Sequence, residues 1–489
     1  MAEQYRERED KYDVDAAWVM PELTSALPSG ARVEEATLRV SSVYFDTDDF
    51  ALLRNKVTLR RRSGDADVGW QLKLPDGKAR TELRLAPTKG RAVPRELQDL
   101  LLGVRTGDAL KPIAKIDTRR EAWRILAADG ALLAEIADDH VDAVTMGEAT
   151  VVSQWREVEV ELGSGDEALL GAVGQLITRA GATPAVGPSK LGRLLSHPTP
   201  KDQGRARRRT PEVTHPITDY LQAQYAALIT GDLALRRGHD VIHATRVATR
   251  RYRSVLHVFA DLFDADRADA LDIELAWYAN LLGQVRDLQV LREHLDRIVH
   301  TLPPELVLGP VSARIDEHLV SQTLKAREQL TREMRSKRYV ALLAELKLWY
   351  QQPPLTSGAN QPSTDVAMFV NRAQRTLAKR LRQAARPGAS DERLHRARKA
   401  SKRSRYTAEL ATPVLGKKAK RIVKRSTELQ DILGKHQDSI VAGEVLLRLG
   451  ATAGTRPGEN GFTFGLLHAH EQHRADASRA RALKRARHG

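Results

Sequence analysis

Two hydropathy periods divide this chain. Between residues 1 and 195, short segments alternate apolar and polar positions, which is the two-residue period of strands that face a core on one side. From residue 214 onward, apolar positions recur every three to four residues, as on amphipathic helices. Segment 196–213 is rich in Pro and Arg, shows neither period and is predicted to be a linker. We therefore predict an α+β multidomain chain, with domains at 1–195 and 214–489.

The predicted elements follow these two periods. Strands are predicted at 36–46, 56–62, 68–74, 79–85, 132–142 and 155–162, and helices within the same domain at 94–103 and 167–180. Long helices are predicted at 215–230, 239–263, 267–300, 311–350, 364–385, 391–411, 416–449 and 463–487. The irregular segment 351–363 divides the helical domain into halves of about 214–350 and 364–489.

The helical domain carries one basic pattern twice. HATRVATRRYR at 243–253 recurs as HRARKASKRSR at 395–405, at an offset of 152 residues. Aligned basic positions fall at i, i+3, i+7 and i+10, a spacing that predicts a single helix face. They are His243, Arg246, Arg250 and Arg253 in the first copy, and His395, Arg398, Lys402 and Arg405 in the second. LGQVRD at 282–287 recurs as LGKHQD at 433–438, which supports an internal duplication.

This duplicated stripe has two readings. A basic helix face is usually only solvated, and an isolated stripe would be read that way. Two copies at matching positions, each headed by a histidine, favour a groove that binds a long polyanion, because guanidinium and imidazolium groups bind phosphate oxygens. Histidines titrate near neutral pH, and a bound polyanion would favour their charged forms.

The strand domain places charges of both signs on one face of several strands. Glu7, Glu9 and Lys11 alternate with their neighbours, and so do three glutamates between 157 and 161. The simple reading is a sheet with one wet face. If the charged face instead turns inward, the sheet encloses a tunnel. Glutamates there would hold a hard divalent cation, and lysines and arginines would hold phosphate.

Charge and composition sharpen this picture. The chain has 489 residues, with 78 Lys and Arg against 63 Asp and Glu, giving a net charge of +15. Residues 1–200 have a net charge of −5 and residues 201–489 one of +20, so the excess lies where the duplicated stripe lies. An anionic partner is therefore expected for the helical domain.

Composition also excludes several classes. There is no cysteine, which excludes disulfides, thiolate zinc sites and cysteine nucleophiles. No signal-peptide pattern and no run of about 18 apolar residues occurs, so we expect a soluble cytoplasmic protein without a membrane partner. Aromatic residues make up 5%, and no RNA-binding aromatic motif is present. Non-specific nucleic-acid contact through 205–209 or the basic tail stays open, whereas sequence-specific readout is not expected.

Short motifs follow one another through the strand domain in a fixed order. They are Glu7, Glu9 and Lys11; Tyr44 to Thr47; Leu59 to Arg62; Trp70 to Lys73; Arg80 and Glu82; Arg119; Asp138; Glu157, Glu159 and Glu161; and Ser189 with Lys190. In order and spacing, these motifs resemble the CYTH domain of the triphosphate tunnel metalloenzymes. The resemblance implies an eight-stranded antiparallel β-tunnel. Members of that family hydrolyse inorganic triphosphate, thiamine triphosphate or RNA 5′-triphosphates, and some cyclise ATP.

The resemblance also implies roles for individual residues. Metal ligands would be Glu7, Glu9, Asp138, Glu157 and Glu159, and the metal would be Mg²⁺, with Mn²⁺ as the alternative. Triphosphate would be held by Lys11, Arg60, Arg62, Lys73, Arg80, Glu82, Arg119 and Lys190. Glu7, Glu9 and Lys11 would serve catalysis, with Lys11 positioning the attacking water. Arg84 departs from the family pattern, which has a further acid there, so the affinity for a second metal stays open.

Residues 214–489 resemble the CHAD domain, through the two His/Arg copies and the two Leu-Gly-x-x-x-Asp segments. This second resemblance implies two pseudo-symmetric helical bundles around a basic cavity that binds inorganic polyphosphate. Bacterial proteins join a CYTH domain to a CHAD domain in this order, so each half supports the other. Association with polyphosphate granules is a further option within the cytoplasm.

Three functions follow from these observations. The first is Mg²⁺-dependent hydrolysis of a small triphosphate, most simply inorganic triphosphate, in a protein that also binds polyphosphate. The second is polyphosphate binding with a catalytically idle tunnel. The third is an adenylate cyclase, although no segment reads as an adenine site. The oligomeric state is left open.

Overall fold

The computed structural model describes two compact units, which divide between Arg207 and Arg208. Described residues are 3–76, 79–147, 150–185, 189–195, 214–356, 365–386, 388–455 and 458–487; at 3–7, 76, 79, 214–215 and 486–487 only the backbone is described. The predicted linker 196–213 lies outside the described residues. Each unit is described below by itself.

The N-terminal unit is built on one antiparallel sheet. Its strands are β1 (Glu3–Glu7), β2 (Glu9–Asp13), β3 (Arg32–Asp46), β4 (Thr58–Gly64), β5 (Gly69–Asp76), β6 (Ala79–Leu85), β7 (Lys111–Leu126), β8 (Leu132–Thr145), β9 (Val152–Leu162) and β10 (Thr183–Pro184). Their order in the sheet is β1-β6-β5-β4-β3-β7-β8-β9-β2-β10.

The sheet closes through its first two strands. β1 pairs with β6, while β2 pairs with β9. Only Arg8 separates β1 from β2, so one bent segment joins the two ends of the sheet and makes a barrel. With β1 and β2 counted as one strand, eight strands form the wall and the two-residue β10 lies beside β2. The predicted antiparallel β-tunnel is confirmed.

Apolar groups occupy the outer face of β8 and β9 and one end of the interior. Helix α4 (Glu167–Arg179) packs Val173 and Ile177 against Val158 and Val160 on the outer face. Its first turn is capped by Asp166, whose carboxylate accepts the Leu169 N–H. In the chain, the short helix α1 (Ala51–Arg54) follows β3, and two more short helices, α2 (Arg95–Leu100) and α3 (Leu102–Arg105), follow β6.

Helix α5 (Lys190–Leu195) closes one end of the barrel. Its Leu191 and Leu194 join an apolar cluster with Tyr44, Ile116 and Val141, which come from three strands of the wall. The polar interior therefore ends at this cluster. The same helix begins at Lys190, so the packing of its leucines fixes a lysine against the charged interior.

The C-terminal unit is helical. Its helices are α6 (Thr214–Arg236), α7 (Ile242–Val258), α8 (Ala265–Val299), α9 (Val311–Glu333), α10 (Lys337–Gln351), α11 (Val366–Ala384), α12 (Asp391–Leu410), α13 (Thr412–Leu415), α14 (Lys417–Ala453) and α15 (Phe462–Arg487). One predicted helix, 311–350, is two. Ser336 begins the second of them by accepting the Tyr339 N–H on its hydroxyl at 3.2 Å.

Helix order repeats within this unit. α6 and α11 begin at 214 and 366, α7 and α12 at 242 and 391, α8 and α14 at 265 and 417, and α9 and α15 at 311 and 462. Consecutive helices of each set pack against each other, and α7 also packs against α12 across the two sets. The predicted pair of helical bundles is confirmed, and the helices that carry the basic stripes meet between them.

No helix among the described residues is long and apolar enough to cross a membrane.

Close packing at Gly231 fixes α7 against α6. A Cβ at this position would lie 2.3 Å from the Thr245 hydroxyl oxygen and 3.1 Å from its methyl group. Thr245 is buried and donates its hydroxyl to the Val241 carbonyl, so it has no room to move. We expect Gly231→Ala to lower the free energy of unfolding by about 1–3 kcal/mol, because overpacking outweighs the better helix propensity of Ala.

Gly465→Ala on α15 is the matched control, since nothing lies within 4 Å of its added Cβ. That variant should raise stability by up to about 1 kcal/mol. Thermal unfolding followed by circular dichroism at 222 nm measures both. Equal melting temperatures for the two variants would contradict the packing argument.

Candidate functional site

The interior of the barrel is lined with charged side chains. Eight cations face five carboxylates along a narrow cavity of about 60 Å³. Cations are Lys11, Arg60, Arg62, Lys73, Arg80, Arg84, Arg120 and Lys190; carboxylates are Glu9, Asp67, Glu82, Glu159 and Glu161. Tyr44, Thr58 and Ser189 complete the lining. Cations are in excess, so the tunnel is suited to an anion.

Strand register explains why these side chains meet. Lys11 on β2 stands opposite Glu159 on β9, and Glu9 stands opposite Glu161. Because side chains alternate between faces, Glu157, Glu159 and Glu161 all point into the barrel while Val158 and Val160 face α4. One face of β9 is thus acidic and the other apolar.

Three carboxylates converge at the closed end. Asp139, Glu157 and Glu159 bring one oxygen each to within 4.8 Å of one another. The Lys190 ammonium lies among them, at 2.9 Å from Asp139, 2.6 Å from Glu157 and 2.9 Å from Glu159. Glu157 also accepts the indole N–H of Trp155 at 2.6 Å. Carboxylate oxygens are the ligands of Mg²⁺ and Mn²⁺, so this set fits a divalent cation, which would compete with the Lys190 ammonium.

The network holds both signs in their charged forms. Burial would raise the pKa of Glu159, but Lys11, Lys190 and Arg120 hold that pKa well below its usual range. Burial would likewise raise the pKa of Asp139, and Lys190 and Arg120 lower it. Conversely, burial would lower the pKa of Lys11, and Glu159 and Glu9 raise it. Each buried ion is therefore stabilised by its oppositely charged neighbours, which offset the free-energy cost of removing it from water.

Neighbouring polar groups orient the arginines of the wall. Arg60 donates from Nε to Gln71 at 2.6 Å and from Nη1 to the Tyr44 hydroxyl at 3.2 Å. Arg62 donates to Asp67 at 3.2 Å, and burial with Arg60 and Arg120 nearby lowers its pKa to about 10. These fixed guanidinium groups are preorganised for phosphate oxygens.

The structure places two predicted residues, Arg119 and Asp138, outside the tunnel, each next to a residue of the same type that faces inward. Arg119 is 52% exposed and contacts Glu121 at 3.4 Å, whereas Arg120 is 14% exposed and lines the tunnel. Arg120 donates two hydrogen bonds of 2.8 Å to Asp139. Asp138 does not face the acid cluster; it accepts two hydrogen bonds from Arg156, which also bonds the carbonyls of Ala16 and Trp18.

The remaining predictions for the tunnel divide into three groups. Lys11, Arg60, Arg62, Lys73, Arg80, Glu82, Lys190, Glu9 and Glu159 line the cavity. Glu157 contacts Lys190 at the closed end. The backbone of Glu7 pairs with Arg80, and its side chain lies outside the described part of the chain.

Sequence reasoning missed a second acid–base pair. Asp67, in the turn between β4 and β5, accepts from Arg84 at 2.9 Å and from Arg62 at 3.2 Å. Arg84 also donates to the buried Glu82 at 3.0 Å. Asp67 adopts a φ of 51°, an uncommon conformation outside glycine. The Gln71 side-chain amide donates a hydrogen bond to the Asp67 carbonyl, which helps to hold this conformation. A Gly-Asp-Ala-Asp turn gives little sequence signal for an inward-facing carboxylate.

The helical unit contains a basic groove of about 890 Å³. Both stripes face it, with His243, Arg246, Arg250 and Arg253 from α7 and His395, Arg398 and Lys402 from α12. Side chains of α8 and α14 complete it, among them Arg286, Asp287, His294 and Asp438. Residues of both repeats thus share one cavity.

Arg405, the last residue of the predicted stripe, is an exception. It does not line the groove, and instead donates to Glu409 at 2.8 Å and to Gln430 on α14. Ten residues turn a helix to about 80° short of three full turns, so this position lies on the flank of the stripe. On α12 that flank faces α14, and Arg403 lines the groove instead.

Crowded positive charge marks the groove. Burial together with Arg250, Arg398 and Arg246 lowers the pKa of Lys402 to about 6. Burial with Arg246 nearby also lowers the pKa of Arg250 to about 10. Burial and neighbouring arginines lower the pKa of His243, and burial and nearby lysine and arginine lower that of His395. The groove thus carries more positive charge than its carboxylates balance, in contrast to the closed end of the tunnel.

Known proteins match both units. A CYTH domain model matches residues 19–182, and a CHAD domain model matches residues 219–447. An uncharacterised protein of Mycobacterium tuberculosis (strain CDC 1551 / Oshkosh) is 35% identical over 494 residues, covering 97% of this chain and 94% of that protein.

Two solved structures match part of the chain. PptA from Streptomyces chartreusis is 23% identical with a TM-score of 0.49, covering 57% of this chain and all of that one. The CHAD domain from the plant Ricinus communis is 23% identical with a TM-score of 0.43, covering 56% of this chain and 92% of that one. With the tunnel, the groove lined by both copies of the stripe and the two domain matches in this order, the chain belongs to the family of two-domain proteins that join a CYTH domain to a CHAD domain.

Proposed function

We propose that the tunnel hydrolyses a small triphosphate, with inorganic triphosphate as the simplest substrate, and that this reaction needs Mg²⁺ or Mn²⁺. The observation that carries the proposal is the meeting of eight cations with a three-carboxylate cluster inside a closed barrel. The cations of the tunnel would bind a substrate that is rich in phosphate oxygens. The cluster accounts for a divalent ion beside it, because carboxylates alone would repel an anionic substrate.

Arginines and lysines of the wall would bind the substrate. Arg60, Arg62 and Arg120 are each held by a hydrogen bond that the guanidinium donates to another side chain, so they lose little freedom when a phosphate replaces water. Arg80 and Lys73 extend the positive surface along β6 and β5. A chain of three phosphates would thus meet fixed donors along its length.

Hydrolysis requires that a water oxygen attack phosphorus while the bridging P–O bond breaks, giving orthophosphate and diphosphate. A bound Mg²⁺ would supply charge stabilisation at the phosphoryl oxygens and would be held by Asp139, Glu157 and Glu159. Lys11 contacts Glu9 at 3.2 Å, and its ammonium also bonds Glu159. With its pKa raised, Lys11 would stay protonated and act as a hydrogen-bond donor that positions water or a phosphate oxygen, and not as a base.

We propose that the groove binds inorganic polyphosphate. Seven basic residues of the two stripes line one cavity, where burial together with the neighbouring positive charges lowers the pKa values of Lys402 and Arg250. A linear polyanion would relieve that repulsion and release its own counterions. Catalysis is assigned to the tunnel, since no group of three or more metal-ligating side chains converges among the described groove residues.

Separate substitutions of two adjacent arginines test the role of the tunnel. Arg120→Ala should lower kcat/KM for inorganic triphosphate with Mg²⁺ by about 10- to 150-fold, the value of one charge-assisted hydrogen bond to substrate. Arg119→Ala removes the same side chain from the outer face and should stay within about twofold of the parent protein. Phosphate release measures both, and circular dichroism checks that Arg120→Ala remains folded. A parent protein with no activity on any triphosphate would favour the idle tunnel instead.

Separate substitutions of two adjacent aspartates test the metal site. Asp139→Asn should weaken Mn²⁺ binding by about tenfold or more, because one of three converging carboxylates loses its charge. Asp138→Asn weakens the bond to Arg156 on the outer face and should leave Mn²⁺ affinity unchanged. Titration of the full chain with Mn²⁺, followed by electron paramagnetic resonance, separates the two. Equal affinities in both variants would reject the cluster as the ligand set.

Proton uptake tests the groove. Lys402 has a pKa of about 6 in the free protein, so at pH 7.5 it is mostly neutral. A bound polyanion favours the ammonium and raises this pKa, so binding should take up close to one proton and weaken as pH rises from 6 to 9. Calorimetry with sodium polyphosphate in two buffers of different ionisation enthalpy measures the uptake.

Lys402→Arg is the matched variant, because a guanidinium keeps its charge throughout this range. It should bind polyphosphate at pH 7.5 with clearly less proton uptake. No uptake by the parent protein, or equal uptake by both, would contradict the role of Lys402.

A further inference from the structure

The repeated Leu-Gly-x-x-x-Asp segment forms a seat for an arginine of each stripe. Arg246 lies against Gly283 on α8, where an added Cβ would come within 3.1 Å of its Nη2 and 3.4 Å of its Nε. Arg398 lies beside Gly434 on α14, with 3.7 Å between the added Cβ and Nη2. The glycines therefore let a guanidinium approach the helix backbone, which explains why the segment recurs with the stripe.

In the first repeat, an aspartate occupies the reachable end of that arginine. Asp287, one turn after Gly283, accepts from Nη1 of Arg246 at 2.8 Å and from Nη2 at 3.1 Å. The Nε of Arg246 is buried and has no hydrogen-bond partner among the described residues. Its other edge therefore faces the helix, and the Nη edge is the one that a ligand in the groove would reach.

The two partners differ in exposure. Arg246 is 17% exposed, whereas Asp287 is 68% exposed. A carboxylate that keeps most of its contact with water can leave the guanidinium and regain full hydration at little cost. An incoming polyanion would approach Arg246 where Asp287 already binds it. The two negative charges would repel each other if Asp287 stayed in place.

The second repeat is arranged differently. Asp438 occupies the matching position on α14 and lines the same groove. Among the hydrogen bonds of the described residues, none joins Asp438 to Arg398. The groove thus holds one arginine that an aspartate binds through both Nη groups and one, Arg398, whose charge acts on Asp438 without a hydrogen bond between them, although the sequence motif is the same.

We propose that Asp287 is an internal competitor for phosphate: it occupies the Nη edge of Arg246 in the free groove and is displaced when a polyphosphate binds. This proposal rests on the proposed binding of polyphosphate by the groove. A phosphoryl group offers three acceptor oxygens and more negative charge than a carboxylate, so it replaces Asp287 on the same fork. The tethered carboxylate lowers the affinity of the groove for every anion that needs Arg246.

A double-mutant cycle tests the competition. Calorimetry of the full chain with sodium polyphosphate of defined length, at fixed salt and pH, gives the Kd of each variant. Asp287→Asn should tighten binding about three- to tenfold, since both the competing acceptor and its charge are removed. In an Arg246→Ala background the same substitution should change Kd by less than about twofold, because the arginine for which it competes is absent.

Asp316→Asn is the control for charge. Asp316 accepts from Arg292 at 2.7 Å in an exposed pair on α9 and α8 outside the groove lining, so this variant makes the same change in net charge. It should leave Kd within about twofold of the parent protein. Asp287→Ser serves as a second variant if Asp287→Asn is poorly folded.

Three outcomes overturn the proposal. Weaker binding by Asp287→Asn would mean that the carboxylate orients Arg246 for the ligand. An equal gain in the Arg246→Ala background would mean that Asp287 acts only through its charge. A parent protein that does not bind polyphosphate, or that binds it equally well as Arg246→Ala/Arg398→Ala, would reject the polyphosphate groove itself, and the proposal with it.

Discussion

The cost of placing like charges together is the constraint on which both units depend. In the tunnel, cations and carboxylates alternate so closely that each holds its partner in the charged form, and Lys190 lies among three carboxylates at 2.6 to 2.9 Å. In the groove, arginines and a lysine from two repeats face each other without that balance, and burial together with these arginines lowers the pKa of Lys402 to about 6. In the tunnel, opposite charges offset the free-energy cost of burying ions. In the groove, that cost is not offset within the protein, and a bound anion would offset it.

Packing decides which side chains enter these sites. Helix α5 buries Leu191 and Leu194 at one end of the barrel, and this places Lys190 in the acid cluster. In the helical unit, Gly231 lets α6 approach Thr245 on α7, and Gly283 lets Arg246 lie on α8. Small residues at these contacts therefore position the basic face of α7 as much as the basic residues themselves do.

Adjacent identical residues show where sequence reasoning loses precision. Arg119 and Arg120 are both arginine, and Asp138 and Asp139 are both aspartate, so residue type does not say which member faces inward. In the structure, Arg120 pairs with Asp139 across β7 and β8. On the other side of β8, Asp139 stands opposite Glu157 on β9. A shift of one residue exchanges the two faces of a strand, so the inward member is known only once the strands are paired.

The sequence by itself determined the two periods, the duplicated stripe and the charged alternation that led to the tunnel and the groove. These features are local, because strand and helix periods and residue types can be read along the chain. Tertiary structure decided that Arg120 and Asp139 belong to the tunnel, that Lys190 lies in the acid cluster and that Asp287 covers Arg246. These contacts join residues 19 to 51 positions apart, and their geometry depends on strand register and helix packing, which no local pattern encodes.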